Sequence, residues 1–121
     1  MATMNSVIGE LEEVKPNVIP DEIKYKWLAT LDGRISIEVF GEAEAKTYAL
    51  PDDADTELLV KAPHDDIYVL YCAAMVDFYN REYENYNNSV MVFQRSLDAL
   101  KTWYIQNHRT CKARNFRNVM G

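Results

Sequence analysis

Apolar residues recur at three- and four-residue spacing along most of the chain, the pattern of helices that bury one face. From about Asn5 to Lys15, Val7, Ile8, Leu11 and Val14 form such a stripe, with Asn5 or Ser6 placed to cap it and Pro16 to end it. A second helix opens at Pro20, Asp21 and Glu22, where proline suits a first turn and two acids face the positive end of the dipole. It carries Ile23, Trp27, Leu31 and Ile35 at every fourth position, with Lys24, Lys26 and Arg34 off that stripe. Gly33 weakens its interior and Ile35 to Val39 alternates as a strand does, yet the spacing predicts a helix continuing to about Phe40.

From Gly41 to Glu57 the periodicity dissolves into a long connection, followed by a short extended piece at Leu58 to Val60. A third helix is predicted from Pro63, with His64, Asp65 and Asp66 in its first turn, through about Glu82. It is apolar all round from Ile67 to Val76, as the central element of a bundle should be. An asparagine-rich interruption, Tyr83 to Ser89, precedes a fourth helix showing Val90, Phe93, Leu97, Leu100 and Tyr104. A short connection makes these two antiparallel neighbours. The expected fold is therefore all-α: a small helical bundle around a hairpin of residues 63–82 and 89–108, with a long acidic loop and a flexible basic C-terminal tail.

The chain has 121 residues, 48% of them hydrophobic and 26% charged, which is one domain's worth of ordinary globular composition. We expect a helical domain over residues 1–108 and a tail over 109–121. Two cysteines, Cys72 and Cys111, cannot make a disulfide scaffold, and no secretory leader pattern opens the chain, so a reducing, cytoplasmic setting is the expectation. The longest apolar run, Ile67 to Val76, is half of what a bilayer requires, so no membrane span is expected.

Charge is segregated. Residues 1–66 carry six Lys or Arg against fifteen Asp or Glu, a net of −9, whereas residues 67–121 carry seven against four, a net of +3. Within the loop stand Glu42, Glu44, Asp52, Asp53, Asp55 and Glu57, opposed by Lys46 alone. The end of the chain has Arg109, Lys112, Arg114 and Arg117 and no acid, with Phe116 as a large apolar residue among them. A tail of this kind orders against a partner surface, which makes these five residues candidate partner contacts. The acidic total argues against a protein that coats nucleic acid, because phosphate binding needs a clustered basic face.

Enzymatic chemistry has no positive sign. His64, Asp65 and Asp66 are adjacent on a helix and point about 100° apart, so they do not converge on a metal. His108 and Cys111 form an isolated H-x-x-C, and the four glycines make neither a phosphate loop nor a nucleophile elbow. No catalytic residue, metal or cofactor is expected. Tyr68, Tyr79, Tyr83 and Tyr86 are dense on the third helix and its turn; they read as core, or as part of a subunit interface, where tyrosine is enriched.

The order of residues along the chain resembles that of phage and prophage head–tail connector (adaptor) proteins of long-tailed phages, in the version common in Gram-positive prophages. It runs Leu11-x-x-Val14-Lys15-Pro16-Asn17, Lys26-Trp27-Leu28, Leu31-Asp32-Gly33-Arg34-Ile35, then Ala62-Pro63-His64-Asp65-Asp66-Ile67-Tyr68. It continues with Leu70-Tyr71, Ala74-Met75, Phe78-Tyr79, Tyr86-Asn87-Asn88 and Trp103-Tyr104. The resemblance implies a non-enzymatic virion protein, met in the host cytoplasm during assembly. It implies a ring of twelve copies that docks on the portal protein, extends the DNA channel and offers a surface to the next connector or tail protein. DNA would pass through the lumen without sequence-specific binding. By position and charge, the segment from Arg109 would reach the portal, and an acidic loop facing the channel would repel phosphates. The alternative is a small DNA-binding packaging or regulatory protein that uses the basic tail.

Overall fold

Thr3, rather than Asn5 or Ser6, opens the first helix, α1 (Met4–Val14). Its hydroxyl accepts from the Ser6 amide at 3.1 Å, and the Ser6 hydroxyl accepts from the Thr3 amide at 2.9 Å. This reciprocal box satisfies two donors that a helix start otherwise leaves open. Met4, Val7, Ile8 and Leu11 are buried, while Val14, at the last turn, is exposed. Asn17 then turns the chain, its side-chain amide donating to the Lys15 carbonyl and its oxygen accepting from the Ile19 amide. The computed structural model describes residues 2–50 and 52–120, with side chains through residue 107.

The second helix, α2 (Asp21–Glu38), runs through Gly33 without a break, so the helical reading of Ile35 to Val39 prevails over the strand. Its buried face is turned relative to the expected stripe. Lys24, Leu28, Leu31, Asp32, Ile35 and Ser36 are buried, while Ile23 and Trp27 are only partly so. Lys24 joins the inner face because its stem packs in the core while its ammonium reaches Glu12 at 3.0 Å and Asp21 at 3.8 Å.

A one-turn 3-10 helix at His64–Asp66 leads into α3 (Ile67–Tyr79), which packs against α1, α2 and the last helix. Its buried residues include Ile67, Tyr68, Val69, Cys72, Ala73, Ala74 and Val76, as the all-round apolar run requires. α3 ends earlier than expected, and α4 (Tyr83–Met120) begins six residues before the predicted start. The cause is a tight stop: the Arg81 amide donates to Phe78 at 3.0 Å and the Glu82 amide to Asp77 at 2.9 Å, with Arg81 at φ 60°. That pair of bonds is the Schellman arrangement, whose left-handed position usually falls to glycine or asparagine. Asn85, Asn87 and Asn88 consequently sit exposed in the first turns of α4 instead of forming a loop.

Phe93 and Leu100 of α4 are buried against the bundle, and Tyr104 donates its hydroxyl to the Phe40 carbonyl at 3.1 Å. The helix then carries on to Met120, so the segment from 109 continues α4 where a flexible tail was expected. The connection from α2 to α3 is long but anchored. A 3-10 turn at Asp52–Asp55 buries Ala54, the Leu58 amide donates to the Ala2 carbonyl at 2.8 Å, and Leu58 and Val60 are buried. Among the described residues there is no strand, only an isolated bridge between Thr3 and Glu57.

Candidate functional site

The most concentrated polar chemistry in the interior surrounds Asp32, whose side chain is fully buried on α2. Tyr68, from the start of α3, donates its hydroxyl to one carboxylate oxygen at 2.6 Å. Tyr48, from the acidic loop, donates to the other oxygen, which also accepts from the Leu59 amide at 3.0 Å. The Tyr68 hydroxyl in turn accepts from the Val60 amide at 2.8 Å. Burial first, and then the neighbouring carboxylate, push both phenols above the ordinary tyrosine range, so they stay protonated as donors. The centre joins α2, the loop and α3 through one buried carboxylate.

A second buried carboxylate, Asp77 near the end of α3, has both oxygens within 2.6 Å of the Lys15 ammonium and accepts from the Ser89 hydroxyl at 2.6 Å. It ties the end of α1 to both arms of the hairpin. Neither Asp32 nor Asp77 stood out in the sequence, where each looks like a polar interruption of an apolar stretch.

The four tyrosines singled out from the sequence divide. Tyr68 has no exposed surface and belongs to the Asp32 centre, so its assignment to a subunit interface is corrected: a fully buried side chain cannot meet a neighbouring subunit. Tyr79 and Tyr83 are exposed, and Tyr86 is partly buried. With Phe78, whose ring centroid lies 6.3 Å from that of Tyr83 and 5.2 Å from that of Tyr86, they form an aromatic patch at the hairpin turn. A shallow cleft of about 350 Å³ opens in it, walled by Trp27, Met75 and Arg81 as well as Phe78, Tyr79 and Tyr83.

The loop acids spread over several jobs. Glu42 and Glu44 are exposed, Asp53 accepts from the Ala49 amide at 2.7 Å, Asp55 accepts from Asn5 at 2.7 Å, and Glu57 pairs with Lys61. Asp52 is exposed at the head of the 3-10 turn. His64 lies against the Trp103 ring at 5.3 Å, and Asp66 accepts from the Ser96 hydroxyl at 3.1 Å, so these neighbours diverge as their spacing required. Among the described residues no group of three or more His, Cys, Asp or Glu side chains is placed to hold a metal ion. Nor, among them, is any helix long and apolar enough to cross a membrane. The side chains of Arg109, Lys112, Arg114, Phe116 and Arg117, and those of His108 and Cys111, lie outside the described residues.

Cys72 gives the fold an alkaline limit. Burial pushes its thiol up from 9.0 to about 12, against a smaller opposing pull from Lys24. In the unfolded chain the thiol ionises near its ordinary value, so above about pH 9 the native state holds a proton that the unfolded state has lost. Stability should therefore fall as pH rises from about 9 to 12, by up to about 1.4 kcal/mol per unit from this group. Denaturant unfolding at pH 8, 9.5 and 11 would read this as a declining midpoint; a Cys72→Ala variant should show a shallower decline.

No protein-family model matches the chain, and no curated protein or solved structure is significantly similar to it.

Proposed function

We propose that this chain is a head–tail connector subunit: a structural, non-enzymatic protein that assembles into a ring, docks on a portal protein, prolongs its DNA channel and presents a surface to the next connector or tail protein. The observation that carries this reading is the length of α4, set beside the residue order described above. α4 has 38 residues against 13 in α3, so a hairpin partner covers only its first part. Tyr104 still bonds the body through the Phe40 carbonyl, and the helix goes on into the acid-free block of Arg109, Lys112, Arg114 and Arg117. A helix so much longer than its hairpin partner, with cations in its last turns, suits an acidic partner surface. Repeated around a ring, individually weak contacts become avid. The exposed Phe78, Tyr79 and Tyr83 at the hairpin turn supply a separate aromatic surface suited to neighbouring copies.

The test is a pull-down on a purified phage portal protein from the same genome, comparing the full chain with one stopped at His108. The full chain should be retained and the truncated chain lost, while both unfold cooperatively and the truncated chain loses only the circular dichroism of the removed helical turns. Charge reversal at Arg114 and Arg117 should reproduce the loss, and retention should weaken with salt. Equal retention of both chains would remove the C-terminal anchor from the reading. Failure on the portal together with salt-sensitive binding to duplex DNA at about 50 mM salt would replace it with phosphate binding.

A further inference from the structure

Residues 41–50 leave the end of α2 and run back along it. The Glu42 amide donates to the Ser36 carbonyl at 2.9 Å, the Lys46 amide to the Ser36 hydroxyl at 2.9 Å, and the Tyr48 hydroxyl to Asp32. The contacts descend α2 as the segment advances, which makes an antiparallel strap. Gly33 permits the approach: a Cβ there would lie 3.2 Å from the Lys46 carbonyl oxygen. The fit is nonetheless loose. Every residue from 41 to 47 is exposed, and a cavity of about 370 Å³ remains between the strap and Ala29, Arg34 and Ile37 of α2.

We propose that residues 41–50 dock on α2 and release from it as a unit while the helical body stays folded, with the Tyr48 hydroxyl on Asp32 as the latch. Two features separate this motion from unfolding. Residues 41–47 are exposed and the strap's packing on the core is confined to the partly buried Tyr48 and Leu50, and segments with so few buried apolar contacts open at low free energy. Asp32 also keeps the Tyr68 hydroxyl and the Leu59 amide when Tyr48 leaves, so the buried carboxylate is never stripped of its donors. Release uncovers the Ala29 and Gly33 side of α2 and carries the exposed Glu42 and Glu44 away from it. The inference is independent of the connector reading.

Amide exchange followed by NMR on the full chain, across sub-denaturing guanidinium, tests it. The Glu42 and Lys46 amides should exchange at least a hundredfold faster than those of Cys72, Ala73 and Val76 in α3, at rates nearly independent of denaturant. Tyr48→Phe, which removes only the hydroxyl, should speed exchange at Lys46 about tenfold, still without denaturant dependence. If wild-type strap amides share the rates and the steep denaturant slope of the α3 amides, the strap opens only with the whole fold and the proposal fails. An unchanged Lys46 rate in Tyr48→Phe would equally overturn the latch. The wild-type slopes decide the first point without any variant.

Discussion

Asp32→Ala is expected to destabilise the fold by about 3–5 kcal/mol, as large an effect as any single polar substitution here should have. The carboxylate is completely buried and answers three donors: the Tyr68 and Tyr48 hydroxyls and the Leu59 amide. Removing it leaves Tyr68 and Leu59 without an acceptor in the interior and opens a cavity at the centre of the α2–α3 contact. Asp32→Asn keeps the shape but turns an amide donor toward groups that are themselves donors, so it should cost about 2–3 kcal/mol. Tyr68→Phe, which also strips the Val60 amide of its acceptor, should fall close to Asp32→Asn. Tyr48→Phe, at a half-exposed position, should cost only about 1 kcal/mol. Guanidinium unfolding with an unchanged slope reads the series. An Asp32→Asn protein within about 0.5 kcal/mol of wild type would show that the carboxylate's acceptors do not hold the fold.

Why this centre escaped the sequence while the helices did not is a matter of what periodicity can report. The all-round apolar run from Ile67 to Val76 needs no partner to be read as a central helix, and that is where α3 lies. The hairpin follows from α3 and the stripe of Phe93, Leu97, Leu100 and Tyr104. On α2, however, a stripe drawn through apolar residues alone selects Ile23 and Trp27. The buried face includes Lys24, Asp32 and Ser36, whose partners lie at Glu12, Tyr68 and the Lys46 amide, far away in sequence. A pattern that counts charged residues as solvent-facing is turned by one position as a result. The spacing of Lys24, Leu28, Leu31 and Ile35 with Asp32 and Ser36 was present as a face, but only polar partners on other elements make it one that is buried.

The hairpin turn failed for a different reason. Asn-rich Tyr83 to Ser89 has the composition of a loop, whereas the chain turns at Asn80 to Glu82 by placing Arg81 in a conformation that arginine seldom adopts. That Tyr68 could not be separated from its neighbours as core has the same root as the silence of Asp32. Tyr68, Tyr79, Tyr83 and Tyr86 look alike in sequence, and what separates them is whether a buried acceptor stands opposite. Tyr68 meets Asp32; Tyr79 and Tyr83 remain at the surface beside Phe78.

Lys15→Met should lower stability by about 3 kcal/mol, far more than a lysine at a helix end would ordinarily suggest. Lys15 caps α1 and its side chain is 30% exposed, yet its ammonium sits within 2.6 Å of both oxygens of Asp77, which is only 1% exposed. Without Lys15 the Asp77 charge remains buried with the Ser89 hydroxyl as its one remaining side-chain donor among the described residues. The reverse change, Asp77→Asn, leaves an ammonium that can turn to water, so it should cost less, about 1–2 kcal/mol. In the double variant the buried charge and its cation are both gone. Its loss should therefore fall short of the sum of the single losses by at least about 1 kcal/mol. Additivity within about 0.5 kcal/mol would mean that Lys15 acts through its packing alone. A coupling of the expected size would make this ion pair the clamp between α1 and the two arms of the hairpin, since Lys15, Asp77 and Ser89 come from those three elements in turn.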